Sequence, residues 1–221
     1  MKRTFSVNES YFDNWSENSA YLLGFIYADG NIELDKYNRP TRLGFGLSSK
    51  DEVLLEWIKD ELKYQGNITR QIQKLKVTQK EYPISRLRIS SRKLCQGLYD
   101  LGAVNQKTFK ITWPKCLPSH LERHFIRGYF DGDGSLTVRN DSTQNPVACL
   151  LGTKELLKEI QNKFSDFYDK KIGSLYKRNN IYVLYIHGKP SCKSFCKWLY
   201  LDSGIALERK RQKALSIIKN D

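Results

Sequence analysis

Polar and apolar residues alternate along Arg86-Leu87-Arg88-Ile89 and, less regularly, along Thr69-Arg70-Gln71-Ile72-Gln73-Lys74, the period-two pattern of strands with one packed and one polar face. From Asp51 to Lys63 the apolar positions recur at helical spacing instead. Arg92 to Leu101 reads as another helix, with Gly102 at its end. Strand-like runs around Ile32 to Leu34, Leu43 to Leu47, Asn67 to Gln73 and Arg86 to Ile89 complete the first half. The second half gives strands at Ser135 to Arg139, Val147 to Leu151, Gly173 to Lys177 and Tyr182 to His187, and helices at Thr153 to Phe167 and Ser191 to Leu201. Each half opens with a helix that ends at an Asp-Gly pair, so the elements run αββαββα twice.

The two halves repeat one another in their residues as well. Leu22-Leu23-Gly24-Phe25-Ile26-Tyr27-Ala28-Asp29-Gly30-Asn31-Ile32 is answered by Ile126-Arg127-Gly128-Tyr129-Phe130-Asp131-Gly132-Asp133-Gly134-Ser135-Leu136, and the segment from Lys93 to Tyr99 is answered by Ser194 to Tyr200. Shared order implies duplication. Thr112-Trp113-Pro114-Lys115-Cys116-Leu117-Pro118-Ser119 carries two prolines and marks the connection, so residues 1–113 form one repeat, 114–120 a short linker and 121–221 the other.

In a helix, Gly24 with Ala28, and Gly128 with Gly132, present small residues on one face and permit close approach of another backbone. If the two helices pack there, Asp29 and Asp133 at their C-terminal ends come close in the negative field of two helix dipoles. Divalent cations between the carboxylates would make that arrangement favourable, since hard ions such as Mg²⁺ take carboxylate, carbonyl and water oxygens. Asp131-Gly132-Asp133-Gly134 also resembles the start of a calcium loop, but Ser142 stands where the closing Glu would be, which excludes an EF-hand.

Charge narrows the partners. Lys and Arg total 37 against 24 Asp and Glu, a formal charge of +13, which favours a polyanion such as nucleic acid. The charge is spread over strands and loops, and no apolar run approaches the ~20 residues of a membrane span, so no membrane partner is expected. The N-terminal residues lack a secretory pattern, and Cys95, Cys116, Cys149, Cys192 and Cys196 form an odd set without paired spacing, so an intracellular chain with reduced thiols is expected. His120 and His124 share a helical spacing but lack a further ligand. No nucleophilic Ser or Cys has a matching base constellation.

Leu22 to Gly30 and Ile126 to Gly134 resemble the paired LAGLIDADG signatures of homing endonucleases of the single-chain, two-motif type. The resemblance implies an α+β fold of two pseudosymmetric αββαββα repeats. Their motif helices pack at the interface, and two antiparallel four-stranded sheets form a saddle on double-stranded DNA. It implies that Asp29 and Asp133 bind the metal, Mg²⁺ or another divalent cation such as Mn²⁺, with the backbone carbonyls of Ala28 and Gly132 as auxiliary ligands. Water would attack a phosphodiester on each strand of a long asymmetric target, leaving short 3′ overhangs. Tyr27 stands where the family often has an acidic residue, which makes the two half-sites unequal; Asp131 keeps it. Lys107 and Lys210, at matching places in the repeats, are candidates for the basic residue near each cleavage site. Arg42, Arg70, Arg86, Arg88, Arg139 and Lys177 are candidates for contacts to bases and phosphates. A monomer is expected, because one chain holds both motifs. The competing expectation is a binding protein on the same scaffold, either a non-cleaving regulator or a maturase acting on intron RNA. A protein-splicing element is not expected.

Overall fold

The computed structural model describes residues 5–74, 79–104, 110–139, 145–170 and 172–219. It is α+β, with two four-stranded antiparallel sheets. The elements of the first half are α1 (Glu17–Asp29), β1 (Asn31–Leu34), β2 (Pro40–Ser48), α2 (Glu52–Glu61), β3 (Thr69–Lys74), β4 (Glu81–Ser90) and α3 (Arg92–Asp100). The second half follows with α4 (Glu122–Asp133), β5 (Gly134–Val138), β6 (Pro146–Gly152), α5 (Lys154–Tyr168), β7 (Ser174–Arg178), β8 (Ile181–His187), α6 (Lys189–Tyr200) and α7 (Glu208–Lys219). The αββαββα order is present in both halves, with α7 added. The sequence pattern gave no sign of α7, because its first six residues, Glu-Arg-Lys-Arg-Gln-Lys, offer no apolar stripe. Among the described residues, no helix is long and apolar enough to cross a membrane.

The chain forms two compact units: one of residues 1–14 and 29–105, the other of residues 15–28 and 106–221. The first holds the sheet ordered β1-β2-β4-β3. Its core is made where Leu43, Phe45, Leu87 and Ile89 on one face of β2 and β4 meet Leu54, Leu55 and Ile58 of α2 and Leu94 and Leu98 of α3, all buried. Pro83 is tolerated in β4 because it lies beyond the end of β2, where β4 has β3 as its partner alone. Ser91 starts α3, its Oγ accepting from Leu94 N at 3.2 Å, a cap worth about 1 kcal/mol.

The second unit holds the sheet ordered β5-β6-β8-β7. Ala148, Leu150, Leu184 and Ile186 pack against Leu156, Leu157 and Ile160 of α5 and Phe195 and Leu199 of α6. Thr153 caps α5 in the same way as Ser91 caps α3. This unit also contains the crossing of α1 and α4. Every residue of α1 from Ser19 to Ala28 is buried, so the helix lacks a solvent face, and residues 124–131 of α4 are buried too. A Cβ on Gly24 would fall 2.0 Å from the carbonyl oxygen of Phe125; one on Gly128 would fall 2.0 Å from that of Tyr21. Backbone therefore meets backbone, reciprocally, and only glycine permits it. Glu17 and His124, near the starts of the two helices, lie 3.5 Å apart, so the helices run in the same direction.

Candidate functional site

Asp29 and Asp133 are the last residues of the two helices that cross at glycine, Asp29 exposed and Asp133 half-buried. A carboxylate at a helix C-terminus sits in an unfavourable field, and one at each of two related helices is a feature that stability alone does not explain.

The end of α4 already attracts one cation. Lys210 is 6% exposed, and its ammonium donates to the carbonyls of Phe130 (2.6 Å), Asp131 (2.7 Å), Gly132 (3.3 Å) and Gly134 (2.5 Å). Three N–H groups facing four carbonyls leave none for a phosphate. Lys210 thus fixes the peptides on both sides of Asp133. Expected from the sequence beside the cleavage site, it lies beneath the end of α4, because α7 brings it against carbonyls that helix geometry leaves unpaired. Lys107 falls outside the described residues.

Asp131 is fully buried and is held by three donors: the hydroxyls of Tyr200 (2.6 Å) and Tyr21 (2.9 Å) and the backbone N–H of Leu207 (2.7 Å). Burial pushes its carboxyl above the ordinary value, opposed by these bonds and by the charge of Lys210. Burial also drives the Tyr21 and Tyr200 hydroxyls up, aided by the Asp131 charge. One turn back, Arg127 is 1% exposed; its Nε donates to Ile205 O at 3.1 Å, and its guanidinium lies over the Tyr21 ring at 5.3 Å. Asp131 and Arg127 together latch the segment at Ile205–Leu207, and with it Lys210, onto α4. Arg127 and Asp131 stand at i and i+4 in the buried stretch of α4, between Phe125, Ile126, Tyr129 and Phe130, the sign in the sequence that this network exists.

His124 completes the network, its Nδ1 lying 3.0 Å from Arg127 Nη1 and its Nε2 accepting from Arg123 Nε at 3.2 Å, with Glu17 at 3.5 Å. Burial first, then the charges of Arg127, Arg123 and His120, push its pKa down to about 4, while Glu17 alone opposes. A folded-state value below the ordinary 6.5 means that stability is present at neutral pH and is lost as pH falls through 6.5 toward 4. Between pH 7.5 and 4.5 His124 should therefore cost the fold on the order of 2 kcal/mol. Thermal melts of the native chain and His124→Gln should show it: the variant's midpoint varies less across that range, and parallel curves would contradict the assignment.

The strand registers decide which candidate DNA contacts share a surface. Arg42 lies opposite Ser90, Gly44 opposite Arg88 and Gly46 opposite Arg86, which puts Arg42, Arg86 and Arg88 together on the face of the first sheet turned away from α2 and α3. Arg42 pairs there with Glu33 at 2.8 Å. Arg70 is not on that face. It stands opposite buried Ser85, and its Nε donates to both oxygens of Glu52 in α2 (2.8 and 3.0 Å), holding that carboxyl at about 2 together with Ser85. Lys177 likewise stands opposite Tyr182 on the face of the second sheet toward α5. Arg139 is exposed just past β5, its N–H bonded to Asn145 O at 3.0 Å. A one-residue difference in strand phase separates the two sets.

The donors at the helix ends are oxygens, as hard divalent cations require. Gly132 O keeps a lone pair beside Lys210, and the convergence of carbonyls on that ammonium marks the end of α4 as a place where a cation is stabilised. Among the described residues no group of three or more His, Cys, Asp or Glu could hold a metal ion.

Residues 120–198 match the family model described as LAGLIDADG-like domain. The fold is similar to that of the homing endonuclease I-WcaI bound to its DNA recognition sequence (TM-score 0.63, 18% identity, covering 86% of this chain and 85% of that one). It is also similar to full-length DUF199/WhiA from Thermatoga maritima (TM-score 0.53, 20% identity, 99% of this chain and 68% of that one). In sequence the chain is 26% identical over 242 residues to the tRNA-splicing ligase RtcB of Pyrococcus furiosus; the match takes in 90% of the chain but 24% of that much longer relative. Residues 120–198 thus carry a LAGLIDADG-like domain, and the two-sheet fold is similar to that of LAGLIDADG homing endonucleases.

Proposed function

We propose that the chain is a site-specific double-strand DNA endonuclease, working as two repeats, 1–113 and 121–221, joined by 114–120. The observation that carries this reading is the glycine-on-glycine crossing of α1 and α4, two helices that each end in an aspartate. Asp29 and Asp133 would hold divalent cations, Mg²⁺ or Mn²⁺, with the carbonyls of Ala28 and Gly132 as further oxygen donors. Such a cation supplies Lewis acidity to a phosphodiester and lowers the pKa of water nearby. Lys210 acts on this site as a positioning residue, through the Gly132 and Gly134 peptides. Lys107 would be the basic group near a scissile phosphate. Arg42, Arg86 and Arg88 would read base edges in the major groove, with Arg139 on phosphate. Arg70 and Lys177 have no part in either front face.

The test is to incubate the full chain with a randomised duplex library and Mg²⁺, Mn²⁺ or EDTA, and to sequence the ends. Metal-dependent cuts at one long asymmetric sequence, with short 3′ overhangs, are expected. Tight binding to a DNA sequence without cuts in either metal would make it a regulator, and selective retention of structured RNA would make it a maturase.

A further inference from the structure

The two sheets offer unlike surfaces. On the first, the strand positions turned away from the helices are mostly polar, Asn31, Glu33, Gln71, Gln73, Arg42, Arg86 and Arg88 among them, with Tyr82 and Ile84 where β4 pairs with β3. The equivalent positions of the second sheet include Val147, Cys149, Leu151, Tyr185, Tyr176 and the buried Val183, with Ser135, Thr137, Arg178 and His187 around them. These share one face because Cys149 stands opposite Tyr185, Leu151 opposite Val183, and Tyr176 opposite Val183. The opposite face, carrying Ala148, Leu150, Leu184 and Ile186, is the one buried under α5 and α6.

This outer face is open: Tyr176 is 54% exposed and Leu151 37%. Tyr176 packs edge-on to Tyr185 at 5.9 Å, and Tyr185 stacks on His187 at 5.4 Å, so the aromatics form one continuous strip. The hydroxyls beside it are engaged within the sheet, Ser135 with Cys149 Sγ at 3.1 Å and Thr137 with Val147 O at 3.5 Å. Among the described strand residues of this face there is no carboxylate, and Arg178 is the charged group. A surface free of anions, edged by Arg178 and Arg139, in a chain of charge +13, suits a phosphate-lined groove.

Beside the tyrosine hydroxyls, His187 and Arg178, the Val147 and Leu151 side chains offer a groove carbon alone, and such groups have one base feature to recognise. The C5 methyl of thymine is the apolar group displayed in the major groove. We infer that the second sheet reads its half of the target by packing Leu151, Val147, Tyr176 and Tyr185 against thymine methyls. The half-site facing it is therefore rich in A·T pairs and tolerant at other positions, while the half facing the first sheet is read by hydrogen bonds. This rests on the DNA reading above and assigns chemistry to half of that surface.

The experiment measures affinity of the full chain for its library-selected duplex with deoxyuridine replacing thymidine in one half at a time. Uracil pairs identically and lacks only the methyl. Removing a buried methyl costs about fourfold in affinity per base, so two or three replacements in the half facing the second sheet should weaken binding roughly fifteen- to sixtyfold. The same number in the other half should change it less than twofold. A Leu151→Ser, Tyr176→Ser chain, altered at exposed positions, should identify the sensitive half by losing that dependence. Equal sensitivity in both halves, or none in either, overturns the inference while leaving DNA recognition standing. Failure to select any duplex overturns the DNA reading itself, and the inference with it.

Discussion

Asp133→Asn should lower cleavage of the selected duplex about a thousandfold, the scale of several kcal/mol of charge stabilisation at a phosphodiester, while leaving the fold intact or slightly firmer. The two effects separate for an electrostatic reason. Asp133 closes α4, where the helix dipole opposes a negative charge by ~0.3–1 kcal/mol. Neutralising it relieves that opposition and removes an oxygen ligand in the same step. Asp29→Asn at the end of α1 should behave alike. Plasmid carrying the target, digested in Mg²⁺, reads the first effect, and a thermal melt reads the second. If either variant linearised plasmid at the native rate, the two-aspartate centre would be wrong. If Asp133→Asn instead lowered the melting temperature by several degrees, the residue would be structural.

Gly128→Ala should be among the most destabilising single-methyl changes in the protein. The added Cβ would sit 2.0 Å from Tyr21 O and 2.8 Å from Phe25 N, both backbone atoms, which cannot rotate away as a side chain could. α1 and α4 would have to separate by more than an ångström, loosening contacts that bury most of both helices. Overpacking of cores costs 1–3 kcal/mol, occasionally more; a backbone clash belongs at the upper end, about 3 kcal/mol or above, which lowers the melting temperature by roughly 6–12 °C. Gly24→Ala meets Phe125 O at the same distance and should match it. Gly97→Ala in α3 is the control of opposite sign, since Gly97 is exposed and nothing lies within 4 Å of its added Cβ. There alanine removes the entropic penalty of glycine and should stabilise by about 0.5–1 kcal/mol. A Gly128→Ala chain that melts with the native one would show that the helices do not meet at this residue.

Periodicity and repetition, which are local, determined much of this protein. The alternation in Arg86-Leu87-Arg88-Ile89 placed Leu87 and Ile89 in the core and the arginines outside, because successive strand residues point to opposite faces. The repeated Gly and Asp positions named the helices that would cross and the residues that end them, since small residues four apart leave a face that only another backbone fills. The tertiary structure alone decided the rest. Arg70 belongs to an imperfectly alternating strand, and only the pairing Arg70–Ser85 shows that it faces Glu52 and α2. Lys210 matches Lys107 in the repeat and reads as a basic group near a scissile phosphate, yet it is buried because α7 carries it under the open carbonyls of α4, far away in sequence. Asp131 matches the acidic position of the motif, but its three donors come from Tyr21, Tyr200 and Leu207. Sequence fixes which groups a segment carries and which way they alternate; whether a charge meets solvent, a carbonyl or an opposite charge depends on residues that folding brings from elsewhere, and that was settled only in three dimensions.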